Sequence, residues 1–461
     1  MAHGKKEEIY FIGLGGAGMS ALAELLLEWG YAVSGSDRQD SPVLERLRGM
    51  GATVYIGHDA SQLSAARLLV YSSAVPTDNP ELRAARAAGI PCIKRAGFLG
   101  QLMVGHRGIA VAGTHGKTTT TSMIAHVFKS CGLDPTAVVG GTMSNTGRGA
   151  LSGNGSYFIT EADEYDRSFL TLYPRITVLT NLEADHLDIY EDLEELTATF
   201  NEFIKHTPFT GKIIYNGEDR QLLRAIGGAY GRTLSFGLRE NLDLYAGHIG
   251  AHEGGSRSHI FYRGKLLGML ALNLPGEHNI KNALATIGVA LECGLSFAEI
   301  STALETFAGV ERRFQFKGGV EDCLFYDDYA HHPTEVEAAL RAARAGWSRR
   351  LVVLFQPHLF SRTRDFYREF ARALDVADFV LLAPVYPARE EPLPGISSSL
   401  IGEQLRKPHK VITGNDEIVD ALAEQCRPGD LVLAMGAGDI WKYEMETIKL
   451  LREKGFPGGG A

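Results

Sequence analysis

The chain has 461 residues, 45% of them hydrophobic and 22% charged, with 46 Lys and Arg against 55 Asp and Glu and a net charge of −9. That composition is ordinary for a soluble globular protein, and the length suits about three domains. The acidic balance argues against a broad nucleic-acid-binding face, and no apolar run approaches the roughly 20 residues of a membrane span.

The first block opens with a strand over Glu8–Ile12 and the turn Gly13-Leu14-Gly15-Gly16-Ala17-Gly18. A helix is expected from Ser20 to Trp29, with Leu22, Leu25, Leu26 and Trp29 on one face, then a strand over Tyr31–Ser34 that runs into Gly35-Ser36-Asp37. The glycine turn with an acid about 20 residues on fits a dinucleotide fingerprint, although such a turn can hold any pyrophosphate. Lys5 and Lys6 precede an apolar stretch, but Glu7, Glu8 and the glycines spoil a signal-peptide reading. Arg67–Tyr71 is a later strand, followed by Ser72-Ser73-Ala74, and the block ends near Gly105-His106-Arg107.

The second block begins with the most informative stretch of the chain. A short apolar strand, Ile109–Ala112, runs into Gly113-Thr114-His115-Gly116-Lys117-Thr118 and then a helical pattern through Thr119, Thr120 and Thr121. This is a phosphate cradle: glycines let backbone N–H groups approach phosphate oxygens, the helix N-terminus adds partial positive charge, Lys117 reaches outer phosphates and the Thr118 hydroxyl suits Mg²⁺. Val111 stands where the strict pattern has its first glycine. Lys117 is expected to have few packing partners in such a loop. Strands over Ser156–Thr160 and Ile176–Thr180 each lead into an acidic segment, Glu161-Ala162-Asp163-Glu164 and Glu183-Ala184-Asp185-His186. Glu161 and Thr118 offer the oxygen ligands Mg²⁺ prefers; His186 is a less usual ligand. Gly237–Arg263 reads as inserted hairpins, and Asn279–Cys293 as a helix opened by Gly276-Glu277-His278-Asn279-Ile280-Lys281-Asn282, whose His278 and Asn279 could cap it or read a base.

The third block starts near Gly309-Val310-Glu311-Arg312-Arg313. Asp327-Asp328-Tyr329-Ala330-His331-His332-Pro333-Thr334-Glu335 ends one strand, and strands over Leu351–Phe355, Phe379–Pro384 and Leu431–Met435 follow. Phe355-Gln356-Pro357-His358-Leu359-Phe360-Ser361-Arg362 ends the second of these four strands, with arginines suited to a carboxylate, and Gly436-Ala437-Gly438-Asp439-Ile440 ends the last. The tail Gly455–Ala461 reads as disordered. Five cysteines, at 92, 131, 293, 323 and 426, have no metal-like spacing; their odd number excludes a full disulfide framework and points to a reducing, cytoplasmic setting.

Taken in order along essentially the whole chain, these motifs resemble the Mur ligase family. The resemblance implies an α/β fold of three domains: a Rossmann-like N-terminal domain for UDP-N-acetylmuramate (1–106), a central P-loop ATPase domain with a mainly parallel sheet (107–312) and a Rossmann-like C-terminal domain for the amino acid (313–461). It implies an ATP- and Mg²⁺-dependent ligase of peptidoglycan synthesis, of the branch that joins L-alanine to the lactyl carboxylate of UDP-N-acetylmuramate through an acyl phosphate. The chain would be a monomer or homodimer with no nucleic-acid or membrane partner. Catalytic roles fall to Lys117, Glu161, His186, Arg313 and His331, and metal ligation to Thr118, Glu161 and His186. ATP is placed on Gly113, Thr114, His115, Gly116, Lys117, Thr118 and Thr119, with His278, Asn279 and Asn282 on the adenine side and Arg313 and Asp328 toward phosphate and ribose. Gly15, Ala17, Gly18, Ser20, Asp37 and Ser73 would hold UDP-N-acetylmuramate; Tyr329, His358 and Arg362 would hold L-alanine.

Three positions depart from the alanine-adding pattern or mark it. Tyr165 stands where serine is common, and a tyrosine there is also found in the related ligase that attaches a recycled tripeptide; Leu359 stands where some members have an arginine; and the region around Phe200 lacks the lysine that several sister ligases carbamylate, as the alanine-adding type implies. The rival readings are that tripeptide-adding ligase, an NAD-dependent oxidoreductase built on the first glycine turn, and a nucleotide-binding module without turnover. The oxidoreductase leaves Lys117, Glu161 and His186 without a role.

Overall fold

The structure, a computed structural model, describes residues 7–63, 65–183, 189–252, 254–388 and 390–456. His186, with Ala184 and Asp185, and the tail from residue 457 lie outside the described residues. The chain forms two units: one comprises residues up to Gly247 with His259–Leu270 and Lys281–Phe307, the other His248–Ser258, Ala271–Ile280 and the chain from Ala308.

The first unit holds a five-stranded parallel sheet in the order Thr53–Ile56, Ala32–Asp37, Glu8–Ile12, Ala66–Tyr71, Cys92–Lys94. Strand order therefore reverses beside Glu8–Ile12, and the crevice at such a switch point is where open parallel sheets bind ligands. Glu8–Ile12 is buried on both faces, as parallel strands are: Ile9 and Phe11 join one apolar cluster, Tyr10 and Ile12 the other. The helix that follows spans Ala17–Glu28, three residues earlier than expected, because Gly16 is already extended and its carbonyl accepts from Met19 and Ser20 N–H at 2.9 and 2.8 Å.

A ten-stranded sheet follows, whose centre runs Arg232–Gly237, Lys212–Asn216, Ile176–Leu179, Arg107–Ala112, Tyr157–Ala162, Thr136–Met143, all parallel neighbours. Arg148–Leu151 adds an antiparallel edge, and the expected hairpins appear at the other edge as Leu244–His252, Gly255–Tyr262 and Lys265–Leu272. Helix Lys117–Ser130 carries the four threonines, of which Thr120 and Thr121 are fully buried, so packing overrides their poor helix propensity. Helix Ala17–Glu28 lies on the Thr136–Met143 side, where Ala21 would stand 3.2 Å from a Cβ on Gly149. One apolar cluster runs through both sheets of this unit.

In the second unit a six-stranded sheet runs Gln315–Val320, Cys323–Asp328, Leu431–Met435, Leu351–Phe355, Phe379–Leu382, His409–Val411, with only the first strand antiparallel. Helices Pro333–Gly346 and Phe360–Leu374 cover one face; Ile418–Gln425 and Ile440–Lys454 cover the other. All five cysteines are free thiols, and no helix among the described residues is long and apolar enough to cross a membrane.

Candidate active site

In the central sheet, strand Arg107–Ala112 has Tyr157–Ala162 on one side and Ile176–Leu179 on the other. Their C-terminal ends bring three loops together: Gly113–Thr118, Glu161–Glu164 and Thr180–Glu183. Gly113 sits at φ +139°, and a Cβ there would lie 2.1 Å from Thr180 Oγ1; Gly116, at φ +81°, would meet Asn282 Oδ1 at 2.7 Å. Both positions admit only glycine without displacement. The loop is clamped from the third segment. Thr114 N donates to Asn181 O at 3.2 Å, His115 N to Asn181 Oδ1 at 2.8 Å, and Thr180 Oγ1 and Asn181 Nδ2 donate to His115 O at 2.6 and 3.1 Å. Glu183 N donates to Thr114 Oγ1 at 2.9 Å. Asn181 was not among the sequence candidates; nothing local in Thr180-Asn181-Leu182 marks it, since its partners lie some 66 residues away.

Lys117 corrects the expectation of few partners. Its side chain is only 15% exposed, and Nζ donates to Gly113 O at 2.6 Å, Thr114 O at 3.2 Å and both oxygens of Glu164 at 2.9 and 2.8 Å. Burial works to lower its pKa, but the charges of Glu164, Asp163 and Glu161 outweigh it and hold the ammonium above its ordinary value. Glu161 is half-buried, accepts from Gly140 N at 2.6 Å and is hydrogen-bonded to the Thr118 hydroxyl. Burial raises its carboxyl pKa against those two donors and Lys117. A Cβ on Gly140 would stand 2.8 Å from Glu161 Oε2, so the carboxylate occupies a cradle that only glycine leaves open. Thr118 and Glu161 thus present adjacent hard oxygen donors, the set a Mg²⁺ ion takes with retained water.

A cavity of about 350 Å³ joins this centre to the first sheet. Gly13, Gly16, Ala17, Gly18 and Ser72 line it from the switch point, Lys117, Glu161 and Asp163 from the central sheet. Gly15 N donates to Asp37 Oδ2 at 2.8 Å, so Asp37 braces the turn. Ser20 is buried and bonds back to Ala17 O at 3.1 Å. Ser72 lines the cavity whereas Ser73 is exposed. Arg95, missed in the sequence, also lines it: its guanidinium would stand 2.9 Å from a Cβ on Gly18 and is 3.9 Å from Asp163. Its only local signal is its place at the start of helix Arg95–Met103, just past a strand end.

Asn282 accepts from Thr120 Oγ1 at 3.2 Å and so packs on the phosphate-loop helix. His278 and Asn279 belong to the second unit, where Asn279 Nδ2 donates to Pro275 O at 2.8 Å and His278 closes on Gly276.

The second unit gathers its own cluster at the ends of its strands. Asp328 is buried, accepts from Phe314 N and Ala330 N at 2.8 Å each, and burial pushes its carboxyl up to about 6 against Arg313 and those donors. Arg313 reaches Glu335 at 3.5 Å and lies over the Tyr329 ring at 5.3 Å. His331 Nδ1 faces Tyr329 O at 2.9 Å and Glu335 Oε2 at 3.3 Å. Burial, together with Arg362 and Arg313, lowers the His331 pKa against Glu335 and the Tyr329 carbonyl. In a neutral ring facing two acceptors, Nδ1 carries the hydrogen and Nε2 is left as the proton acceptor. His358 stands 5.8 Å from the His331 ring and stacks on Tyr386 at 5.8 Å. Tyr386 is a further residue the sequence did not flag; it comes into place because Leu359 N and Tyr386 N exchange hydrogen bonds with Tyr386 O and Pro357 O at 2.9 and 2.8 Å. Arg362 is half-buried. Asp365 pairs with Arg364 and Glu369 with Arg372, each at 2.7 Å.

Comparison with known proteins gives one consistent result. Residues 8–107 match the Mur ligase family catalytic domain, 111–290 the Mur ligase middle domain and 312–438 the Mur ligase glutamate ligase domain. The chain is 44% identical over 455 residues to the UDP-N-acetylmuramate–L-alanine ligase of Geotalea uraniireducens, covering 98% of this chain and 99% of that one. It is 44% identical over 458 residues to that of Geobacter sulfurreducens, with the same coverage. Among solved structures, the UDP-N-acetylmuramate–alanine ligase MurC of Thermotoga maritima superposes with a TM-score of 0.83 at 29% identity, over 97% of this chain and 99% of that one. A murein peptide ligase of Psychrobacter arcticus does so at 0.71 and 27%, over 96% and 98%.

Proposed function

The chain belongs to the Mur ligase family, and on that premise we propose that it joins L-alanine to the lactyl carboxylate of UDP-N-acetylmuramate at the expense of ATP. The observation that carries this reading is the shared cavity. The first sheet's glycine turn and the phosphate-loop lysine line one space, so a ligand whose pyrophosphate rests on Gly13–Gly18 has its far end directed at Lys117 and Glu161. A UDP-sugar bearing a carboxylate meets that demand; a dinucleotide has no use for a second phosphate loop.

The division of work follows the sheets: residues 1–106 hold UDP-N-acetylmuramate, 107–312 hold ATP, and 313–461 bring the amine. A carboxylate oxygen attacks the γ-phosphorus and ADP leaves; the amine nitrogen of L-alanine then attacks the acyl carbon, phosphate leaves, and one proton is released. Lys117 and the backbone N–H groups of the loop offset the repulsion between the two anions. Thr118 and Glu161 would hold Mg²⁺, which supplies positive charge against the phosphates when bound. His331, neutral and with Nε2 as acceptor, takes the proton the amine loses; Arg362 holds the alanine carboxylate, which a guanidinium fork matches and an ammonium does not. Asn282, His278 and Asn279 serve the adenine side, and Arg313 and Asp328 the phosphate and ribose.

The deciding experiment is phosphate release with ATP, Mg²⁺ and UDP-N-acetylmuramate across L-alanine, glycine, L-serine and a tripeptide. L-Alanine is expected to give the highest kcat/KM; preference for the tripeptide would move the chain to the sister ligase. Calorimetry is expected to show binding of UDP-N-acetylmuramate and none of NAD, and the reverse would overturn the assignment of the first sheet. Arg362→Lys is expected to raise the KM for L-alanine by about tenfold or more, a loss of some 1.4 kcal/mol, with the KM values for ATP and UDP-N-acetylmuramate nearly unchanged. An exposed ion pair is worth at most about 1 kcal/mol and would leave alanine use alone, so an unaltered alanine KM removes Arg362 from the site.

A further inference from the structure

The phosphate loop occupies the C-terminal end of the central sheet; the opposite end carries a second concentration of positive charge. Arg232, Lys212 and Arg107 are the first residues of their strands, and Arg175 immediately precedes Ile176–Leu179. Because those four strands are consecutive neighbours, with Lys212 in register opposite Arg232 and Ile176 opposite both Lys212 and Ile109, their cations gather within two residues of one level at the same sheet end. They line a cavity of about 140 Å³ with a single carboxylate, Glu292, at its wall. Glu292 is shared between Lys212 at 3.3 Å and Arg232 at 2.8 Å. Among the described residues the Arg107 guanidinium hydrogen-bonds only the Tyr157 hydroxyl, at 3.4 Å, and the Arg175 side chain has no hydrogen-bond or ion-pair partner, its backbone N–H and carbonyl being taken by the sheet. Four cations facing one carboxylate in a concave space stand out on a chain whose net charge is −9.

Like charges gathered in a concavity repel unless a counter-charge joins them, and planar guanidinium forks match the geometry of phosphate oxygens. We propose that this cavity is a second anion site, separate from the phosphate loop, that takes a phosphate or pyrophosphate group through Arg107, Arg175, Lys212 and Arg232. The inference does not depend on the ligase reading, since none of these residues has a part in it. The group could be free phosphate or the phosphate end of a nucleotide.

The test is a calorimetric titration of the full-length protein at low salt with inorganic phosphate, pyrophosphate and AMP. Pyrophosphate is expected to show binding beyond that of the phosphate loop. In Arg175→Gln/Arg232→Gln this component should weaken by about tenfold or more, the loss of at least one charge-assisted hydrogen bond, while turnover at saturating substrates is unchanged. Glu292→Gln removes the competing carboxylate and is expected to tighten the same component, a gain that damage to the fold would not produce. AMP binding tighter than phosphate would identify a nucleotide as the source, and equal binding the free anion. Isotherms identical in the wild type and the double-arginine variant, or weaker binding in Glu292→Gln, would overturn the proposal.

Discussion

Lys117→Ala is expected to lower turnover by about a hundred- to a thousandfold, the loss that follows removal of one preorganised donor from the place where charge develops. The structure adds a second expected effect. Lys117 is the ammonium partner of Glu164, whose side chain is 2% exposed, and breaking a buried pair from one side costs about 3–5 kcal/mol. The alanine variant should therefore also melt at a lower temperature, and a loss of activity alone would be ambiguous. Lys117→Ala/Glu164→Gln separates the two effects, because it no longer strands a buried carboxylate. The double variant should recover most of the melting temperature and none of the turnover. Recovery of turnover along with stability would mean that Lys117 serves the fold and not the phosphates.

Glu161→Gln is expected to raise the Mg²⁺ concentration needed for half-maximal activity by at least about tenfold, the lower end of what disturbing a metal's surroundings costs. The substitution keeps the shape: glutamine can still accept from Gly140 N, which now bonds Glu161 at 2.6 Å, and it fits the same cradle. What it loses is the charge that draws the ion. A Mg²⁺ titration of phosphate release checks this, with circular dichroism to confirm the fold. Unchanged Mg²⁺ dependence would remove Glu161 from the metal's ligands.

What the sequence made legible was local. Gly113-Thr114-His115-Gly116-Lys117-Thr118 carries its geometry in its residue types: the glycines are required by φ and by contacts under 3 Å, and the lysine and threonine follow at fixed offsets. The acidic segment at Glu161 was legible for the same reason, as a polar run closing an apolar strand. What escaped were relations between distant segments. Asn181 grips a loop 66 residues earlier, Arg95 reaches Asp163, and Lys117 finds Glu164 47 residues on. None of these partners is marked by periodicity or composition. The choice between Ser72 and Ser73 turned on one residue of register at a strand end, where the side chain facing the cavity alternates with the one facing away. The helix through the threonine run was also legible, although its residues are poor helix formers, and burial of Thr120 and Thr121 outweighs that propensity.

The clamp from Thr180, Asn181 and Glu183 bears on the entropy of nucleotide capture. A glycine-rich loop of this length would ordinarily sample many backbone states, and confining each residue costs about 1–2 kcal/mol. Here the confinement comes from the protein's own side chains and peptide groups, through five hydrogen bonds of 2.6 to 3.2 Å. That expense is charged to folding and not to association, so a phosphate arriving at the loop spends little of its interaction energy on ordering it. Affinity for the nucleotide is thereby tied to a segment that need not touch it: loosening Asn181 would weaken capture by restoring disorder to the loop, with every phosphate-facing group still present.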